Sequence, residues 1–341
     1  MHHAADKKRQ RQHVMKLSSR FNPARRTTLT TLAGAVLAGG LPARSLAQAA
    51  RTLRIGYQKS STLITVLKLQ GTLEQRLAEQ GVTVSWHEFT NGQPLLEALN
   101  VGAIDLSADV ADTVPLFAQA AGAALTYYAR ETPAPSAQAI IVRADSPIRD
   151  IAGLKGKKVG FARAAGAHYL VIAALEQHGL SVGDIQQAYL TPADGRAAFD
   201  NGSIDAWAIW DPFYAAVEQH EQVRLLADGR DGLADYARYY LASTPYVQAN
   251  PRIVAQVFNA LRDAGIWAKQ HPDDAAALLS PAWGLDPRIV AAANNRRTYD
   301  VRAVSAGNLD RQQQIADVFL ANRLLPRRID LHQAQVWTPA A

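Results

Sequence analysis

The sequence predicts an α/β protein of two lobes, on three observations. Short apolar runs alternate with stretches of helical spacing from about residue 52 nearly to the end, as in parallel sheets whose strands are joined by crossover helices. The alternation runs through twice, with a Pro/Ser break at residues 132–136 between the two passes. About 290 residues remain once a basic leader is set aside, enough for two lobes of ordinary size.

In the first pass, residues 53–57 and 82–89 read as strands, with a helix over 63–79 between them. Residues 95–100 are helical and Gly102 stops them. Residues 104–108 form a buried strand, 115–121 a helix opened by Pro115, and 124–129 a further strand. The second pass opens with a strand at 138–142. It continues through strand 158–162, helix 169–178, strand 185–190, helix 196–200, strand 206–210 and helix 213–220. A short strand follows at 223–226, and 239–243 leads into Thr244-Pro245, a second plausible crossing between lobes. Residues 251–323 are mostly helical, with Pro and Gly breaks.

Residues 189–214, YLTPADGRAAFDNGSIDAWAIWDPFY, say most. Asn201-Gly202 ends a helix with a pair that tolerates a left-handed residue. The run from Ile204 to Trp210 is broken only by Asp205, as expected of a parallel strand covered on both faces. Asp211-Pro212 then opens the next helix as N-cap and N1 proline. Trp210 and Asp211 therefore stand at the carboxyl end of a parallel strand, where open α/β sheets place their ligands.

The charge belongs to the leader. The chain carries a net +6, but residues 1–49 hold nine Lys and Arg against the single acid Asp6, and the remainder is net −2. A nucleic-acid partner is excluded by that distribution. Arg25-Arg26 precede a mild apolar run at 29–41, and Ala47-Gln48-Ala49 offers the small-x-small pattern of signal-peptidase sites. Twin arginine before a weak apolar run fits a Tat-type export signal, with the general secretory route as the alternative. The run is short and glycine-rich for a membrane span. Met15 is an alternative start to the polar residues 1–14. With no cysteine there is no disulfide, thiolate metal site, lipid-anchored cysteine or cysteine nucleophile.

The 189–214 segment resembles the periplasmic aliphatic sulfonate-binding proteins, the soluble receptors of sulfonate-importing ABC transporters. So do LRIGYQKSS at 53–61 and EALNVGAIDLSADVADTVPLFAQAAGA at 97–123. The resemblance runs from about residue 52 to about 338. It implies a type II periplasmic-binding-protein fold, each lobe a sheet flanked by helices, with a hinge between the lobes and a chain that returns to its first lobe. The expected division is an export signal at 1–49, removed on export, a first lobe of 50–134 plus 245–341, and a second lobe of 135–244. It also implies a periplasmic monomer that needs no cofactor, binds an alkanesulfonate and docks on an inner-membrane permease.

A sulfonate is anionic at any physiological pH and presents three acceptor oxygens, so the residues to seek are donors at strand-to-helix turns. Four turns qualify. In the first, Gln58, Ser61 and Thr62 follow a strand; the resemblance brings Gln58 and Ser61 to the anion, while Ser61 or Thr62 as a simple helix cap is the plainer reading. Lys59 is expected to face solvent. The second carries Ser107, Asp109 and Asp112. Ala111 stands where the family shows glycine, and one extra residue is present. Asp112 aligns with a family acid and is expected to cap the following helix. Asp109 would repel an anion unless an ammonium or water intervenes.

The third turn runs from Arg163 through Gly166 and Ala167 to His168. The family carries hydroxyls before this histidine and the chain has Ala164, Ala165 and Ala167 instead. Backbone N–H groups of Gly166, Ala167 and His168 still suit an anion, and Arg163 could add a charged donor. The opposing reading leaves Arg163 solvated and His168 in packing or capping. The fourth turn is Trp210-Asp211, an aromatic wall followed by a cap, with Trp207 assigned to the core.

An enzyme is the contrary class. Desulfinase-like members of the fold use a cysteine nucleophile, which this chain lacks. No Gly-x-Ser-x-Gly motif occurs, and His87, His168, His178, His220, His271 and His332 form no i,i+4 pair. Among ligands, taurine, nitrate and a pyrimidine precursor are the rivals. Taurine's ammonium would suit Asp109 or Asp112.

Overall fold

The computed structural model describes residues 51–339 apart from residue 221, so the export-signal reading of 1–49 lies outside the described residues. The first stretch of chain gives β1 (Arg51–Gln58), α1 (Thr62–Gln70), α2 (Thr72–Ala78), β2 (Val82–Phe89) and α3 (Gly92–Asn100). The short β3 (Leu106–Ser107) and β4 (Val110–Ala111), then α4 (Val114–Ala120) and β5 (Leu125–Glu131), complete it. The single helix expected over 63–79 is two. Gly71 sits between them at φ 65°, a left-handed conformation that glycine adopts without steric cost and that ends α1.

The second stretch gives β6 (Gln138–Arg143), β7 (Lys158–Phe161), α5 (Gly166–Gln177), β8 (Gln186–Tyr189), α6 (Pro192–Asp200) and β9 (Ala206–Trp210). It closes with α7 (Phe213–His220) and β10 (Val223–Asp228). There follow β11 (Arg238–Ser243), α8 (Thr244–Ala249), α9 (Pro251–Gln270), α10 (Pro272–Trp283), α11 (Pro287–Asn295), β12 (Val301–Arg302), α12 (Ala306–Ala321) and β13 (Gln335–Val336).

Two sheets result. The larger has the order β12-β5-β11-β3-β1-β2, with β13 on β5 and β4 on β11; the smaller has the order β10-β6-β9-β7-β8. The chain crosses between them at 132–137 and again at 229–237. The second crossing corrects the sequence reading, which kept residues up to 244 in the second lobe. β11 pairs antiparallel with β5, and Thr244-Pro245 begins α8 instead of a crossing. Its buried apolar run fits either sheet equally well, so only the pairing decides. Both sheets are also mixed, not purely parallel: β6 enters the smaller sheet from a crossing that holds only a single 3-10 turn at Pro135–Ala137, and runs antiparallel to β9 and β10.

Helices α1, α9 and α10 bury Leu63, Val66, Val257, Leu261 and Leu279 against one face of the larger sheet. A second cluster runs from Leu96 and Val114 through Tyr127 into Ile140 and Val159 of the smaller sheet and Leu170 of α5, so the two halves share apolar contact. Each fully buried side chain of this kind stabilises the fold by roughly 1.5–3 kcal/mol. Trp207 is in that core, as expected. Near the end of the chain α12 leans back on α5, its Phe319 ring 5.3 Å from that of His168.

Candidate functional site

From the larger sheet, the β1–α1 turn, the residues between β3 and β4, the start of β11 and the segment after α11 meet in one place. The β1–α1 turn is tight: Ser61 N–H donates to the Gln58 carbonyl at 2.8 Å. Four buried ionised side chains lie beside it. Asp109 is fully buried and is paired with both Arg238 and Arg297, and Arg297 also pairs with Glu131. Arg238 donates further to the Tyr236 hydroxyl at 2.8 Å and the Asp109 carbonyl at 3.1 Å; Arg297 donates to the Ser60 carbonyl at 3.1 Å. The Tyr240 hydroxyl donates to Glu131 at 2.7 Å, and Gln58 Nε2 to the Asp109 carbonyl at 3.0 Å. Burial alone would push the Asp109 carboxyl up, but the two guanidinium charges outweigh it and hold it below its ordinary value. Two acids and two arginines leave this network neutral.

From the smaller sheet comes the turn between β7 and α5. Ala164 takes the left-handed φ of 63°, unusual for a residue with a Cβ, and its N–H donates to His168 Nδ1 at 3.3 Å. Helix geometry leaves the N–H groups of Gly166 and Ala167 without partners inside α5. Gly166 is required by a close approach: a Cβ there would stand 2.6 Å from the Tyr236 ring and 3.1 Å from Gln138 Oε1. Tyr236 belongs to the second crossing, so its ring packs on the α5 terminus while its hydroxyl holds Arg238.

Polar contacts also tie the halves together beside the site. The Thr113 hydroxyl donates to the Ala164 carbonyl at 2.6 Å, so it spans the lobes and does not cap α4. On the other side Arg296 Nη1 donates to Asp211 Oδ1 at 2.9 Å, pairs with Glu218 and lies 4.3 Å from the Tyr214 ring centre. Between these contacts a cavity of about 10 Å³ is lined by Ser60, Thr62 and Asn294 from one side and Asp211 and Pro212 from the other.

The residues expected at the site divide. Gln58, Thr62, Gly166, Ala167 and Asp211 stand where the halves meet. Asp211 also accepts the Ala215 N–H at 3.0 Å, serving the start of α7 from one residue further out than expected, because the helix begins at Phe213 and the Pro212 carbonyl takes its first bond. Burial pushes the Asp211 carboxyl up to about 7 even beside Arg296. Ser61 is buried, its hydroxyl accepting the Gln58 N–H inside the turn, and makes no side-chain cap. Ser107 is turned into the sheet, where its hydroxyl donates to the Ala108 carbonyl and accepts the Leu241 N–H.

Asp112 does not cap α4. The second crossing runs beside it, and its carboxylate accepts the Ala237 N–H at 3.0 Å. Burial pushes that carboxyl up to about 7, against the pull of the Ala237 hydrogen bond. The His168 N–H is used within the turn, donating to the Ala165 carbonyl. Its ring is packed against Phe161, and burial lowers its pKa to about 4.

Arg163 is exposed, its guanidinium 5.8 Å from the Tyr189 ring, and with Ala164 it lines a groove shared with α3, α4 and Arg323. Trp210 is buried in the core, edge-on to Phe213. Lys59, expected in solvent, donates to the Trp283 carbonyl at 2.8 Å. The sequence reading missed Glu131, Tyr236, Arg238, Asn294 and Arg297. One signal was available: Arg238 opens a buried apolar strand, where an arginine needs a partner.

Two sheets joined by two crossings, with donors on both sides of the junction, define a two-lobed solute-binding protein. A family model described as NMT1/THI5 like matches residues 77–275. An aliphatic sulfonates-binding protein of Escherichia coli (strain K12) is 42% identical over 308 residues, 89% of this chain and 95% of that one. The alkanesulfonate-binding protein SsuA from Xanthomonas axonopodis pv. citri, bound to MOPS, has a TM-score of 0.79 at 41% identity, covering 84% of this chain and 98% of its own. The periplasmic aliphatic sulphonate binding protein SsuA from Escherichia coli has a TM-score of 0.78 at 42% identity, over 85% and 93%. The chain belongs to the NMT1/THI5-like family and, within it, to the aliphatic sulfonate-binding proteins.

Proposed function

We propose that this protein is the periplasmic solute-binding component of an ABC importer. It captures aliphatic sulfonates between its two lobes, hands them to an inner-membrane permease and carries out no reaction. The observation that carries the reading is the 42% identity across 95% of a relative described as binding aliphatic sulfonates. The geometry supports an anion: Gly166 and Ala167 open α5 beside the turn that meets Thr113 across the lobes, helix geometry leaves their N–H groups unpaired, and a helix N-terminus favours negative charge.

It also bears on the rival ligand. Asp109 is held by two arginines, Asp112 by the Ala237 N–H, Glu131 by Arg297 and Tyr240, and Asp211 by Arg296. Each of these acids already has a cationic or N–H partner, which weakens the case for a taurine ammonium, although Asp109 keeps one buried oxygen unpaired. Binding shifts the balance between open and closed lobes through the ligand's extra affinity for the closed form.

Titration calorimetry on purified mature protein tests the reading, with methanesulfonate, ethanesulfonate, octanesulfonate, taurine, sulfate and nitrate. Alkanesulfonates should bind, with taurine at least tenfold weaker than ethanesulfonate. Taurine or nitrate binding more tightly than every alkanesulfonate would reverse the assignment.

A further inference from the structure

Three side-chain N–H groups at the junction have no hydrogen-bond partner: Nε1 of Trp283, Nδ2 of Asn294 and Nε of Arg297. The three residues are 4%, 5% and 5% exposed, so water does not satisfy these groups from outside. A buried N–H left unpaired is costly, and native proteins keep such groups where something else is to pair with them. All three residues line the cavity of about 10 Å³ that Asp211 and Pro212 close from the second lobe.

The acceptors in that lining are already taken. Asn294 Oδ1 receives the Tyr299 hydroxyl at 2.6 Å, which fixes the amide so that Nδ2 is the free end. Thr62 Oγ1 lies 3.1 Å from the same hydroxyl. The Asp211 oxygens accept from Arg296 and from the Ala215 N–H. The cavity therefore offers donors and asks for an acceptor. Its volume is about that of one oxygen atom, less than a whole acid group.

Building on the proposed sulfonate-binding role, we propose that Trp283, Asn294 and Arg297 form the subsite for the third oxygen of a sulfonate, and so select tetrahedral over planar acids. In this arrangement the two oxygens of a carboxylate fall to the Gly166 and Ala167 N–H groups that α5 leaves unpaired, on the other side of the junction. Only a sulfonate has a third to satisfy the three remaining donors. A carboxylate would leave them buried and unpaired, and a site built to pair polar groups discriminates strongly against a ligand that lacks the matching atom.

The test compares octanesulfonate with nonanoate, which carry the same eight-carbon tail, by calorimetry on the full mature protein. Trp283→Phe keeps an aromatic ring and removes one N–H. It should weaken octanesulfonate about tenfold while nonanoate stays within twofold. Asn294→Asp keeps the acceptor for Tyr299 and removes the free amide N–H; its octanesulfonate loss should exceed its nonanoate loss by at least tenfold.

Thermal unfolding of each ligand-free variant shows whether it is folded, and the second variant stands in if the first is not. Equal losses for the two ligands, or an octanesulfonate affinity unchanged in both variants, would overturn the subsite and leave the sulfonate assignment standing. Failure of the unaltered protein to bind octanesulfonate would overturn both.

Discussion

The two halves of the binding junction hold their shape by opposite means. On the larger sheet the work is done by long side chains: two acids and two arginines, all buried, with the Tyr236 and Tyr240 hydroxyls and the Ser60 carbonyl bonded to them. On the smaller sheet it is done by backbone, at a turn whose residues are alanine and glycine and whose shape depends on what is missing from the side chains. Buried charge gives a rigid floor that fails badly when one member is lost. A bare turn is insensitive to charge but intolerant of bulk.

The largest effect is expected at the charged half. Asp109→Ala leaves Arg238 and Arg297 short of their shared partner, and breaking a buried pair from one side costs about 3–5 kcal/mol. Urea unfolding with an unchanged m-value would register it; a loss below about 1 kcal/mol would show that the network is replaceable. Next comes the bare half. Gly166→Ala drives a methyl into the Tyr236 ring, with overpacking costs of about 1–3 kcal/mol. The double variant Gly166→Ala, Tyr236→Ala should lose less than the two single losses added together, and strict additivity would place the conflict elsewhere.

A smaller effect depends on pH. The Asp112 carboxyl is raised to about 7 by burial, so the unfolded chain releases that proton first. Its contribution to stability is present below pH 4 and is lost as pH rises toward 7. Asp112→Asn should therefore gain on the parent protein between pH 4 and 7 in thermal unfolding scans; a constant difference across that range would mean the carboxyl is ionised throughout. The smallest effect is expected at Arg163→Ala, within about 0.5 kcal/mol in stability and twofold in sulfonate affinity, because that side chain is exposed. A tenfold loss of affinity would bring Arg163 into the site.

The same contrast explains what could be read from the chain. The turns that carry Gly166, Ala167 and Asp211 were legible because strand-to-helix turns announce themselves locally, through a short apolar run followed by glycine, proline or a capping residue. The quartet was not. Asp109 pairs with residues 129 and 188 positions away, and no local pattern links them. Asp109 looked out of place beside an anion only because its arginines were invisible. The crossing at 229–237 was missed for a related reason: strand pairing is a long-range property, and β11 carries no mark of its sheet. Trp210 and Ser107 show the limit of alternation, since a strand buried on both faces does not say which face holds the ligand.

The two sheets also differ in when they can be finished. Every strand of the smaller sheet lies within residues 138–228, so it can be completed from one unbroken stretch of chain. In the larger sheet β5 is made early, yet its neighbours β11, β12 and β13 arrive between residues 238 and 336. During synthesis β5 waits with unpaired edges for more than a hundred residues. Such a topology folds slowly, because its pairings close long loops before they are rewarded. An open edge is also a template for association with other chains. The last described strand, β13, lies against β5 at Thr126 and Tyr127, so the sheet containing the charged floor of the site is closed only about two hundred residues after β5 is made.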